Sequence, residues 1–298
     1  MIALLLAFVS ALLIGGYEVA RKAAVGKDSA ERMLVTATSA GTVALLPALG
    51  LSILAPELSS ELDLTIRWLS FTEHLLVLCK AALVSSVWIC AYEAVRHLPL
   101  SVAAPLRSTA PVLTLLGAIL LYGERPSASE GLGMAIILVG YLGFAWLGPK
   151  EGIDYLRSPW VALLGLGLIL SAASGLYDKY LLQSVELPPT TLQFWFLAYG
   201  AGLQWLLLKV RERAKPPRRF RLERWAVLAG LLLAVADQFY LRSLSIPGTM
   251  VSLVAMVRRA SVLVSFTLGG LVFREKLLLQ KAAPLALIVL GLGLLLVK

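Results

Sequence analysis

The stretch RSTAPVLTLLGAILLYGE, Arg107 to Glu124, recurs in altered form as RRASVLVSFTLGGLVFRE, Arg258 to Glu275. In both copies an arginine stands seventeen residues ahead of a glutamate, across an almost entirely apolar run. The repetition marks a duplicated chain and the apolar run marks membrane helices. The arginine marks a cation that lipid tolerates poorly. Together these features point towards a transporter.

The rest of the chain has the same character. Of its 298 residues 59% are hydrophobic and 15% charged, with a mean hydropathy of +0.83. A bilayer-spanning helix needs about 20 apolar residues. Ten such segments are read at 2–24, 31–54, 73–96, 99–122, 128–147, 159–182, 189–210, 223–243, 247–273 and 281–297. They are continuously apolar rather than alternating, which favours helices over a barrel. The first is read as a retained helix, since it lacks a basic leader and its apolar run exceeds that of a signal peptide. Cys79 and Cys90 lie too far apart along one helix to bridge. Asparagine is absent, which excludes N-glycosylation.

A net charge of +9 in a soluble protein would suggest nucleic acid. Here the basic residues sit in loops, above all 209–224, and no nucleic-acid partner is expected. Loops on one side hold 18 of the 27 lysines and arginines, loops on the other side and the C-terminus hold 5, and Lys80, Arg107, Arg258 and Arg259 lie inside spans. The positive-inside rule then puts loop 209–224 in the cytoplasm and both termini outside a bacterial-type inner membrane. That loop also has a reading as a lipid-headgroup patch.

The chain divides near residue 150, at Gly148-Pro149-Lys150-Glu151-Gly152. The two halves, 1–150 and 151–298, match in segments. An offset of 151 aligns Ser101 with Ser252, Arg107 with Arg258 and Glu124 with Glu275. An offset of 148 aligns Tyr92 with Tyr240 and Pro99 with Pro247, and one of 160 aligns Tyr17-Glu18 with Tyr177-Asp178. Five spans per half is an odd number, so the second half enters the membrane inverted. The expected fold is an all-α polytopic membrane protein of ten helices in two inverted repeats, with substrate bound near the midplane.

The run Ala110-Pro111-Val112-Leu113-Thr114-Leu115-Leu116-Gly117, followed by Gly123-Glu124-Arg125, Gly131, Gly133 and Gly140-Tyr141, resembles the EamA domain of the drug/metabolite transporter superfamily. The second copy, from Val257 to Glu275 and Leu290-Gly291, is similar but has Val262 where Pro111 stands in the first. The resemblance implies a ten-helix carrier whose cavity is lined by spans three, four, eight and nine with parts of one and six. It implies substrates such as amino acids, other small metabolites, drugs or nucleotide sugars. Family members are usually drawn with cytoplasmic termini, the reverse of the charge count.

Arg107, Arg258 and Arg259 lie near mid-membrane by position, where each costs about 2.5–3.5 kcal/mol if it faces lipid. They are expected to face a wet cavity or carboxylates. Arg258 and Arg259 point about 100° apart on a regular helix, so one is assigned to the cavity and the other to a neighbouring carboxylate. An arginine fork suits carboxylate or phosphate, which makes the expected substrate anionic or zwitterionic. The other reading of Arg107 and Arg258 is a charge lock between helices.

Asp237 is the candidate for ion coupling, with Arg259 or Lys80 as its partner. Lys80 has a second reading, with its stem reaching back to the interface. Glu18 and Asp178 are read either as interfacial ion pairs with their basic neighbours or as a proton or substrate site, and Glu93 is a further carboxylate. Trp88, Tyr92, Trp195, Gln238 and Tyr240 are candidates for the cavity wall, with the membrane interface as the alternative for the aromatic ones. Glu124 and Glu275 are read as structural, or else as gating ion pairs. Gly117, Gly269 and Gly270 are read as points of close helix approach.

No phosphate-binding Gly-x-x-x-x-Gly-Lys-Ser/Thr loop, His-Glu-x-x-His helix or Gly-x-Ser-x-Gly elbow appears. The expected function is secondary active transport of a small polar, amino-acid-like metabolite, without cofactor, metal or catalytic residues, by a monomer or homodimer. The alternatives are an exchanger for phosphorylated or nucleotide-linked sugars and a component of a lipid-headgroup translocase.

Overall fold

A computed structural model describes residues 1–25, 30–98, 110–146, 158–213, 222–265, 267 and 282–296. Among these, every regular element is an α-helix. In chain order they are α1 (Ile2–Val25), α2 (Ala30–Ala44), α3 (Leu46–Leu54), α4 (Pro56–Glu61), α5 (Phe71–His97), α6 (Ala110–Tyr122), α7 (Ala128–Trp146), α8 (Pro159–Gln183), α9 (Pro189–Glu212), α10 (Arg224–Ser245), α11 (Val251–Arg258) and α12 (Ala282–Leu296). Among the described residues five segments are long and apolar enough to cross a membrane: Ile2–Ala24, Glu31–Leu54, Phe71–Ala91, Pro159–Gln183 and Arg224–Ser245. Ala110–Tyr122, Ala128–Gly140 and Ala283–Leu295 are shorter apolar helices.

Local sequence explains where the elements start and stop. Ser70 and Glu73 form a capping box at the head of α5, which satisfies amide donors that have no partner within the helix. Prolines open α8 and α9, where a missing N–H costs nothing. The second expected span is interrupted at Leu45. Pro47 cannot donate to Val43, so the ladder breaks and α3 begins there with proline in its first turn. Pro56–Glu61, between the second and third expected spans, is the short helix α4.

The helices pack in pairs: α1 on α10, α5 on α8, and α7 on α12. Gly133 and Gly291 make the last pairing intimate. A Cβ on Gly291 would stand 2.7 Å from the Gly133 carbonyl, and one on Gly133 3.0 Å from the Gly291 carbonyl. In an apolar medium such backbone approach supplies dispersion contacts that larger side chains would prevent. Gly117 likewise lets Leu176 of α8 close on α6, while Gly269 and Gly270 lie outside the described residues.

Ion pairs mark the two ends of the bundle. At one end Arg32 pairs with Glu212, and Arg211 reaches Glu31 and Glu93. This joins the start of α2 to the ends of α5 and α9. At the other end Arg242 pairs with Asp63 and Arg67 with Glu73. There the hydroxyls of Thr190 and Thr191 donate to the carbonyls of Asp63 and Thr65. α5 and α9 therefore run parallel to one another between these ends, and α2 runs against α9.

Candidate functional site

A cavity of about 880 Å³ lies between α1, α5, α6, α8, α9, α10, α11 and the segment that follows α11. On α1 its wall runs from Ile14 to Lys22, and on α5 from Lys80 to Ala91. It therefore opens at the end that carries the Arg211 ion pairs. Its floor is formed by Asp178, Leu192, Tyr240 and Val251.

The floor carries a chain of charges from four helices. The Lys80 Nζ stands 2.6 Å from Asp178 Oδ1 and donates to the Ser174 hydroxyl at 2.8 Å. The Tyr240 hydroxyl donates to the other Asp178 oxygen at 3.1 Å. The Arg258 guanidinium lies 4.0 Å above the Tyr240 ring centroid and donates to Asp237 at 2.9 Å. Cation–π contact of this kind is worth about 0.5–2 kcal/mol, more as water is excluded. The side chains of Lys80 and Asp178 are only 7% and 5% exposed, whereas those of Arg258 and Asp237 are 23% and 19% exposed. One pair is sealed in protein and the other is open to the cavity.

Several sequence expectations need correction here. Lys80 does not reach back to the interface, because Asp178 holds it inside the bundle. Asp178 pairs with Lys80 across two helices, not with its neighbour Lys179. The partner of Asp237 is Arg258, neither Arg259 nor Lys80. Arg258 and Arg259 both line the cavity. Arg258 has its carboxylate in Asp237 of α10, and the α-helical ladder of α11 ends at that arginine. A two-residue turn follows at Arg259-Ala260, with Arg259 N bonded to Met256 O and Ala260 N to Val257 O, and residues 261–265 are helical again. Among the described residues no carboxylate pairs with Arg259.

Trp88, Tyr240 and Glu18 line the cavity as well, Glu18 near the mouth in a pair with Arg21. Gln238 is turned away from the wall, and its side-chain amide meets the Thr190 hydroxyl at 3.2 Å. Asp237 and Leu241 occupy the cavity face of α10, and the adjacent position points towards α9. Trp195 belongs to the opposite end, where it donates to the Arg67 carbonyl and meets Trp68 at 5.2 Å. Arg107, Glu275 and the Tyr92 side chain lie outside the described residues.

The sequence points to a structural or gating role for Glu124 but not to its partners. Its carboxylate is 3% exposed and pairs with Lys179 of α8 at 2.8 Å. It also accepts from the backbone N–H of Val251 at 2.7 Å, the N–H of Ser252 at 3.2 Å and the Ser252 hydroxyl. A carboxylate on a helix N-terminus satisfies donors that the helix itself leaves open and meets the positive end of its dipole. The Lys179 Nζ also stands 4.9 Å over the Tyr122 ring, and the Tyr122 hydroxyl donates to the Leu176 carbonyl. This cluster closes the bundle beneath Val251, below the cavity floor. The joint repetition of Ser101/Ser252 with Glu124/Glu275 at one offset was the available signal.

Along the described wall the cations Arg21, Lys22, Lys80, Arg258 and Arg259 outnumber the carboxylates Glu18, Asp178 and Asp237. The arrangement suits a ligand bearing negative charge, while Trp88, Phe196 and the aliphatic wall residues suit its apolar part. Among the described residues no group of His, Cys, Asp and Glu is arranged to hold a metal ion.

Comparison with known proteins agrees with this architecture. Residues 1–146 match the model of the EamA-like transporter family. Over 86 residues the chain is 36% identical to the probable 4-amino-4-deoxy-L-arabinose-phosphoundecaprenol flippase subunit ArnE of Yersinia pestis (strain Pestoides F). The same figures hold for ArnE of Yersinia pseudotuberculosis serotype O:1b (strain IP 31758). Each match covers 29% of this chain and 68% of the relative. One solved crystal structure superposes on 99% of this chain and 98% of its own, with a TM-score of 0.73 at 18% identity, a likeness of fold.

Proposed function

Because the chain belongs to the EamA-like transporter family of the drug/metabolite transporter superfamily, as a multi-pass membrane protein, we propose that it is a secondary active carrier of a small anionic or zwitterionic metabolite, amino-acid-like in size and polarity. Residues 1–150 and 151–298 are the two inverted five-helix halves, and transport proceeds by alternating access between them. The chain catalyses no chemical reaction. The end bearing loop 209–224 faces the cytoplasm, so the cavity described above is the inward-open one.

The observation that carries this reading is Arg259: a guanidinium on the wall of an 880 Å³ cavity, with no described carboxylate, beside an Arg258 that Asp237 only partly shields. The Glu124 cluster serves as the closed gate beneath the floor, and the equivalent Glu275 and Ser101 are proposed to close the other end in the opposite state. A thermal-shift screen of purified protein against metabolites, followed by proteoliposome uptake of any hit with and without a pH gradient, tests the function. Stabilisation by hydrophobic cations alone would overturn it.

The similarity to ArnE favours a second reading, in which the chain is part of a translocase for a lipid-linked sugar phosphate. The same cationic wall would take the phosphate. Uptake of a water-soluble hit by the purified chain alone supports the first reading. Flipping of a fluorescent polyprenyl phosphate, with no uptake of soluble anions, supports the second.

A further inference from the structure

The two carboxylates of the cavity floor are held unequally. Asp178 is sealed, bound by Lys80 and by the Tyr240 hydroxyl. Asp237 pairs with Arg258 alone among the described residues, and both members of that pair are open to the cavity. A substrate oxyanion reaching the Arg258 fork competes with a group of its own chemistry, since carboxylate, phosphate and sulfate all present paired oxygens to a guanidinium.

Once displaced, Asp237 has no other free cation to join on the described helices around it. On α5, Lys80 is committed to Asp178 of α8. On α1, Arg21 is paired with Glu18, with Tyr17 beside it and Lys22 nearer the mouth. On its own helix the nearest titratable group is Tyr240, whose hydroxyl is engaged with Asp178. α9 brings Leu192, Gln193, Phe196 and Leu197 to the wall, and α2 brings nothing. Arg259 on the α11 side is drawn to the same incoming anion. A carboxylate left ionised and unpaired in a partly buried site is costly, and a proton from the water of the open cavity removes that cost.

We propose that Asp237 is a built-in competitor for the substrate's anionic group, so that a dianion bridging Arg258 and Arg259 enters together with one proton. A monoanion held by Arg259 alone leaves the Arg258–Asp237 pair intact and binds without a proton. This rests on the anion reading above and adds its coupling to protons. The dianion and its proton together bring one negative charge, which takes the Arg258, Arg259 and Asp237 set from a net positive charge to neutrality: one negative charge neutralises Arg259, the other replaces Asp237 on Arg258, and Asp237 leaves the pair as a neutral acid.

Sulfate is a suitable probe because it is a dianion that does not itself titrate near neutrality. Its apparent Kd for the purified full-length protein is read from sulfate-dependent thermal stabilisation between pH 5.5 and 8.5. Binding that requires one proton weakens about tenfold per pH unit over the alkaline part of this range, while chloride binding stays flat. Asp237→Asn binds sulfate at least tenfold more tightly than wild type at pH 8, with no pH slope, and Asp237→Glu restores the slope. A flat wild-type profile, or an Asp237→Asn affinity no greater than wild type at pH 8, overturns the coupling and leaves the anion reading standing. No sulfate binding by wild type at any pH overturns both.

Discussion

Glu124 closes the N-terminus of α11 by accepting the backbone N–H of Val251 at 2.7 Å, from 127 residues away in the chain. The bond joins the end of α6 to a helix of the other half. The Lys179 ammonium then neutralises the same carboxylate. Breaking a buried pair from one side leaves an uncompensated charge, at about 3–5 kcal/mol. Glu124→Gln is therefore expected to lower the thermal midpoint in detergent by several degrees, and adding Lys179→Met to recover part of it. A single variant that melts within a degree of wild type would contradict the role given to this carboxylate.

The sealed pair at the cavity floor makes a sharper case. Lys80→Met strands Asp178, at about 3–5 kcal/mol. Lys80→Met combined with Asp178→Leu is expected to be far less destabilised than either alone, a coupling that a double-mutant cycle reads directly. If the two losses simply add, the pair does not act as a unit.

The arginines are expected to behave differently from these structural charges. Arg107→Gln, Arg258→Gln and Arg259→Gln should each abolish uptake of the substrate while expression and membrane insertion stay near wild type. Full transport by the variants, measured in proteoliposomes, would remove anion recognition from the mechanism.

Helix approach at Gly133 and Gly291 gives a test independent of charge. Gly291→Ala forces a methyl to within 2.7 Å of the Gly133 carbonyl. Overpacking of this kind costs about 1–3 kcal/mol, visible as a lower melting temperature. An unchanged midpoint would mean that α7 and α12 do not meet as closely as described.

Orientation is open to a labelling experiment. A cysteine introduced at position 216, in the basic loop, should resist a membrane-impermeant maleimide in intact cells and react after permeabilisation. Labelling from outside would invert the assignment, and with it the side to which the cavity opens.

Much of the fold could be read in advance because hydropathy reports burial in lipid so directly. α1, α5, α8 and α10 fall within a few residues of their expected spans. The interruption at Leu45 was missed because Pro47 sits within an unbroken apolar run, where composition outweighs one absent donor. In the site, the residue types were legible and the partners were not. Lys80, Asp178, Asp237 and Arg258 were all singled out, yet three of the pairings were misassigned. Pairing depends on which helix faces which, and one chain read without its packing carries no such information. The turn that parts Arg259 from the end of α11 left no mark in the hydropathy either.

The turn at Arg259-Ala260 has a mechanical consequence. It interrupts the run of helix between Val251 and Ser265, so only the few bonds that close it resist bending there. The two guanidiniums sit at that joint, Arg258 on the last turn of α11 and Arg259 in the turn itself. Bending at the joint would swing Arg259 relative to Arg258, turning a two-pronged grip into two separate ones while leaving α11 intact.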